Sequence, residues 1–155
     1  MTKPILLFGY GNLSRGDDAA GPLLLEHVQQ QVDLTSIDLL TDFQLQIEHI
    51  LDLQQRQLVI FVDASLSAKS PFVFSRLAPC HDNSYTSHAM SPAALLQVFQ
   101  NVIGENPPPC FLLGIQARSF ELGEPLTADT QDNLDQANRF IEQLLALPIQ
   151  QILEH

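Results

Sequence analysis

Tryptophan is absent from the chain, and cysteine occurs only as Cys80 and Cys110. The two are isolated, with no CxxC pair and no metal-ligand spacing. They read as small buried hydrophobes in a reducing compartment. Basic residues are also scarce: 7 Lys and Arg stand against 18 Asp and Glu, for a formal net charge of −11. That balance repels phosphate backbones and anionic membrane surfaces, so no nucleic-acid or membrane partner is expected. It suits docking against a basic partner surface. No run approaches the roughly 18 apolar residues of a membrane span. Met-Thr-Lys-Pro leads directly into Ile5–Gly9 with no signal-type apolar region or cleavage site, so the expected location is cytoplasmic.

What is present suits a packed core. The 155 residues are 45% hydrophobic and 16% charged, enough for one domain over 1–155 that buries roughly 70% of its unfolded surface. Ile5–Gly9 is a short apolar run closed by glycine, as in a buried parallel strand. Across Asp18–Val32 the apolar positions Ala20, Leu23, Leu24, Val28 and Val32 have helical spacing. Ser36–Leu40 reads as a strand, Leu45–Leu53 as a short helix, and Leu58–Asp63 as the strongest strand. Phe72–Leu77, between Pro71 and Pro79, is expected at a sheet edge.

Further along, Ser91-Pro92 is an N-cap followed by a first-turn proline, opening a helix with Leu95, Leu96, Phe99, Val102 and Ile103 as its stripe. Pro107–Pro109 is a stiff connection, Cys110–Ile115 a central strand, and Thr127–Leu147 a long helix with Leu134, Ala137, Ile141, Leu144 and Leu145 inward. This alternation predicts an α/β fold, a mainly parallel sheet with helices on both faces. Ligands of such sheets sit beyond the C-terminal ends of the strands.

Those ends carry the chemistry. The first strand runs into a glycine-rich turn, Gly9 to Gly21, spaced GxGxxxxG. It is not the dinucleotide fingerprint, no GK[ST] follows, and Asp17 and Asp18 occupy the helix entrance a phosphate would need. Asp17 and Asp18 either cap the helix together and favour its dipole or, since one aspartate suffices for that, the other faces the cleft. Asp63 ends the strongest strand, where a carboxylate is either a turn former or a ligand at the rim. Of the five histidines, His155 is terminal, His27 and His49 read as surface residues, and His81 lies in a polar turn. His88 lies in a loop just before the Ser91 cap. Asp18, Asp63 and His88 thus come from three loops of one sheet, a donor set suited to nickel or zinc with open positions for substrate. No GxSxG elbow occurs, and Cys80-His81 adjacency does not align a nucleophile with its base.

Taken together, Gly9-Tyr10-Gly11-Asn12, Gly16-Asp17-Asp18-Ala19-Ala20-Gly21, Val62-Asp63-Ala64, His88 before a Ser-capped helix, and Leu113-Gly114-Ile115-Gln116 resemble the hydrogenase maturation proteases. The resemblance runs from about Ile5 to the last helix. Proteins of this family remove a C-terminal extension from the large subunit of nickel–iron hydrogenases. It implies a three-layer arrangement, a twisted five-stranded sheet between helices. It places the family's first acidic ligand, usually glutamate, on Asp18, with Asp17 before it, the second on Asp63 and the histidine on His88. Nickel already inserted in the precursor is taken as the recognition signal. Where many members carry a glycine-rich DGGT-like segment, this chain has Thr41–His49, similar to an FQLxxEH-like segment of members serving soluble hydrogenases. That segment is then a determinant of which precursor is accepted.

The expectation is therefore a monomeric, aspartyl-type endopeptidase acting on a nickel-loaded large-subunit precursor. Its catalytic candidates are Asp17, Asp18 and Asp63, with Asp17 or a metal-bound water activating the attack. The same ligands would serve a non-catalytic, nickel-sensing chaperone. A generic small-molecule-binding α/β domain is the remaining reading.

Overall fold

The computed structural model describes residues 2–81 and 90–155. Its two richest apolar runs become β1 (Ile5–Tyr10) and β3 (Leu58–Ser65), paired in parallel inside one sheet. All six β1 residues are buried, as are the first five of β3. That explains runs without polar alternation: both faces of these strands are covered. Ile5 and Leu7 enter one core and Leu6, Phe8 and Tyr10 the other.

The remaining strands are β2 (Ile37–Asp42), β4 (Phe72–Arg76) and β5 (Cys110–Gln116), and the sheet order is β2-β1-β3-β5-β4. Only the β4–β5 pair is antiparallel among these described strands. Strand β4 lies at an edge, as its flanking prolines led us to expect. One face is covered by α1 (Ala20–Gln31), α4 (Ala128–Leu145) and α5 (Ile149–Ile152). The other is covered by α2 (Ile50–Leu53) and α3 (Pro92–Ile103). This is the three-layer α/β fold with helices on both faces.

Local signals set the long helices. Ser91 accepts the Ala94 N–H at 3.1 Å ahead of Pro92, and Gly104 closes α3 in the left-handed region at φ 79°. Leu95, Leu96 and Phe99 are buried, whereas Val102, expected inward, is 64% exposed on the last turn. Thr127 caps α4, which stops at Leu145 rather than Leu147.

Two expected helices begin differently. Residues Gly16–Ala19 form a 3-10 turn before α1. Ile47–His49 forms another before α2, started by reciprocal capping between Gln46 and His49. Cys110 is buried as expected, but Cys80 is exposed, in the loop after Pro79 and outside both cores. Among the described residues no helix is long and apolar enough to cross a membrane.

Candidate active site

After β1 the chain crosses to β2 on one side, while β3 lies on the other. Ligand crevices in open α/β sheets form where the strand order reverses in this way. Pairing of β1 with β3 stops at Gly9–Val62, but β3 continues along β5 through Asp63–Gly114 to Ser65–Gln116. Asp63 is therefore not the end of its strand. It is the first β3 residue beyond the β1 register, at the mouth of the crevice.

Close backbone contact brings the glycine-rich turn to the same place. A Cβ on Gly21 would meet the carbonyl oxygens of Val62 and Tyr10 at 2.7 and 2.9 Å, so α1 can press against both strands only with glycine there. Gly11, at φ 146°, lies against Asp18: a Cβ would stand 2.0 Å from the Asp18 carbonyl oxygen. Across this turn the Asn12 N–H donates to Asp18 Oδ2 at 2.8 Å.

The two carboxylates of the crevice are close enough to act on one another. Burial, and then the charge of Asp18, push the Asp63 carboxyl up to about 7, against hydrogen bonds from the Tyr10 hydroxyl and the Ala64 N–H. Burial also raises Asp18, opposed by its bond from Asn12 and the charge of Arg15. Tyr10, 8% exposed, donates to Asp63 and is itself held well above the ordinary tyrosine value. Burial comes first among the causes, then the charge of Asp63. Sequence reasoning did not single out Tyr10.

Asp17, one of the two candidates for water activation, has both carboxylate oxygens engaged. It is fully buried and accepts the backbone N–H groups of Arg118 at 2.8 Å, Ser119 at 3.1 Å and Thr127 at 2.7 Å. The Thr127 and Thr130 hydroxyls add bonds at 2.9 and 2.8 Å to Oδ2. Burial alone would raise its carboxyl. The bonds from Thr127, Arg118, Thr130 and Ser119 outweigh that and hold it below the ordinary value. With both oxygens occupied, Asp17 is an anchor that ties the glycine-rich turn to the β5–α4 connection. It is poorly suited to proton transfer.

His49 likewise departs from the surface position expected. It is 6% exposed, its Nδ1 accepts the Gln46 N–H at 2.8 Å, and its Nε2 lies 3.1 Å from Asp42 Oδ2. An Nδ1 that accepts leaves the ring proton on Nε2, which donates to Asp42. The clasp shapes the Thr41–His49 segment and leaves Phe43 71% and Ile47 53% exposed. With Leu13 and Leu66, each 60% exposed, these large apolar side chains lie in the connections leaving the C-terminal ends of β1, β2 and β3. The sequence had shown no such apolar face.

Two adjacent carboxylates offer hard oxygen donors whose charge the chain itself only partly offsets, a setting that suits a divalent cation. Asp18 and Asp63 are thus brought together as the sequence suggested. His88, the third expected ligand, lies outside the described residues. Among the described residues no three His, Cys, Asp or Glu side chains gather as a metal centre.

This architecture has known counterparts. The NiFe hydrogenase maturation protease HycI from Thermococcus kodakarensis KOD1 superposes with a TM-score of 0.71 at 22% identity, over 94% of each chain. The hydrogenase maturating endopeptidase HybD from E. coli gives 0.71 at 24% identity, over 92% of this chain and 91% of that one. The chain has the maturation-protease fold. A hydrogenase 2 maturation peptidase from a Thaumarchaeota archaeon shares it at a TM-score of 0.66 and 21% identity, covering 94% of this chain and 100% of its own. No family model matches the sequence. No curated protein matches it significantly.

Proposed function

We propose that this chain is a cytoplasmic, monomeric endopeptidase that removes the C-terminal extension from the nickel-loaded large-subunit precursor of a nickel–iron hydrogenase. The observation that carries the reading is the Asp18–Asp63 pair, half-sunk in the β1–β3 crevice of a fold shared with proteins named as maturation proteases. Nickel belongs to the substrate: the precursor presents it, and Asp18 and Asp63 are the oxygen donors that receive it, with His88 as the further ligand the resemblance implies. Binding through the ion fixes the nearby peptide bond against the site, which is the entropic part of catalysis.

Hydrolysis then consumes one water. Its oxygen joins the scissile carbonyl carbon, the C–N bond breaks, and a proton ends on the departing amine. Without nickel, burial and the Asp18 charge hold the Asp63 carboxyl up to about 7; a bound divalent cation favours its ionised form, in which it acts as an oxygen donor. The exposed Leu13, Phe43, Ile47 and Leu66 around the crevice support a polypeptide substrate over a small solute.

The test mixes the purified chain with precursor carrying or lacking nickel and reads the product mass. Nickel-dependent loss of a C-terminal peptide supports the reading. Tight binding with unchanged mass would instead make the chain a nickel-sensing chaperone, and absence of binding would sink both.

A further inference from the structure

Strand β2 closes one side of the sheet, paired with β1 and with no strand beyond it among the described residues. In a parallel ladder, alternate residues turn both backbone groups to the same neighbour. Ser36 O receives Ile5 N at 3.1 Å and Asp42 O receives Gly11 N at 3.0 Å, so the even-numbered residues face β1. Leu39 and Thr41 therefore turn N–H and C=O outward, while the Ile37 N–H is taken by Leu34 O at 3.2 Å. An open edge of this kind is a template for another extended chain.

Beside it, between β2 and α1, runs a groove of about 580 Å³ lined in part by Pro22, Leu25, Glu26, Leu39 and Thr41. A second hollow of about 280 Å³ reaches Gly11, Asp42 and Phe43 and shares Leu13, Pro22 and Thr41 with the first, so the two are continuous. At Gly11 the track abuts the carboxylates: a Cβ there would lie 3.3 Å from Asp18 Oδ1. Its charge is one-sided toward that end. Asp38 is matched by Arg56, and Lys3, at the far end, donates its Nζ to Leu34 O at 2.8 Å. Asp42, held by His49 Nε2 at 3.1 Å, is the acid of the hollow nearest the site, and Glu26 that of the groove behind it.

We infer that the open edge of β2 is the substrate cradle: an extended basic peptide joins the sheet as an added strand, seats apolar side chains in the α1–β2 groove, and is led to Asp18 and Asp63. This rests on the peptidase reading, because it takes the C-terminal segment of the precursor as the occupant. Backbone pairing supplies affinity and the groove supplies selectivity, the usual division when a peptide extends a sheet.

The C-terminal segment of a nickel–iron hydrogenase large-subunit precursor is synthesised unmodified, and N-methylated at alternate amides in either of the two registers. Each peptide is titrated calorimetrically into the intact protein. Strand addition predicts that one methylated register loses about tenfold or more in affinity while the other binds within about twofold. Equal affinities, equal losses, or no measurable binding of the unmodified peptide overturn the inference. On the protein side, Thr41→Pro removes an outward N–H that β1 does not use and should weaken the unmodified peptide about tenfold. The methylated peptides decide the matter even if that variant folds poorly. Register-dependent binding beside a precursor of unchanged mass would keep the cradle and discard the peptidase. A trimmed precursor with register-independent binding would do the reverse.

Discussion

Asp17 and Asp18 are neighbours in the chain whose carboxylates go opposite ways: Asp17 is sealed against Thr127 and Thr130, while Asp18 is turned to the crevice it shares with Asp63. The 3-10 geometry of Gly16–Ala19 makes this split possible. One aspartate fixes the turn so that the other is held where its charge bears on Asp63.

Replacing the anchor should therefore cost stability. Asp17→Ala orphans the buried N–H groups of Arg118, Ser119 and Thr127, and we expect a loss of about 3–5 kcal/mol in urea unfolding. The Asp17 carboxyl is lower in the folded state than its ordinary value. Its contribution is thus present above about pH 4 and lost as pH falls through the folded-state value. The variant should show a flatter acid limb of stability than the parent. An unchanged acid limb would refute the anchor.

Asp63→Asn carries the opposite sign. With a folded-state value of about 7 against roughly 4 unfolded, ionised Asp63 burdens the fold above neutrality, and the burden lifts as pH falls from 7 toward the unfolded value. The amide should therefore be more stable than the parent at pH 8 by roughly 1–3 kcal/mol, with the advantage fading near pH 5. Precursor processing should be abolished in the same variant. Scanning calorimetry at the two pH values, beside the mass assay, checks both halves.

Tyr10→Phe removes the hydroxyl that donates to Asp63. Because that bond lowers the Asp63 value, its loss should move the carboxyl above about 7. Carbon-13 NMR titration of the Asp63 side chain reads this directly. A midpoint that stays put or falls would refute the contact.

His49→Phe keeps a ring against Phe8, where the present pair meets edge-on with centroids 4.8 Å apart, and removes both ring nitrogens. Amide exchange across residues 42–49 should speed up by about tenfold or more, in line with the loss of one or two hydrogen bonds. For processing, KM should rise while kcat stays within about twofold. A fall in kcat alone would place His49 in the chemistry instead.

Much of the fold could be read locally. Ser91-Pro92 and Thr127 announce α3 and α4 within a turn of where each helix starts, and the runs at Ile5 and Leu58 mark two of the three interior strands. Asp18 and Asp63 were also legible, because the ends of parallel strands are where such sheets bind. Asp17 was not: its partners lie 101 to 113 positions away, so its neighbours in sequence say nothing of its hydrogen bonds. Tyr10 sits in an apolar strand and reads as core until β3 is laid beside it. His49 misled for another reason. Its partner Asp42 is only seven positions away, but helical periodicity favours a solvent-facing ring, and only the reciprocal capping with Gln46 turns it inward.

The Asp17 anchor also sets an order of events. The stitches that hold the glycine-rich turn come from residues 118 to 130: Ser119 O on the Asp17 N–H at 2.9 Å, the Gly123 N–H on Ser14 O at 2.7 Å, and the threonines at the start of α4. A chain as far as Pro109 already contains both crevice carboxylates, yet none of the groups that hold the Asp17 side chain. The turn that carries Asp18 therefore gains its Asp17 anchor only once residues 118 to 130 are in place.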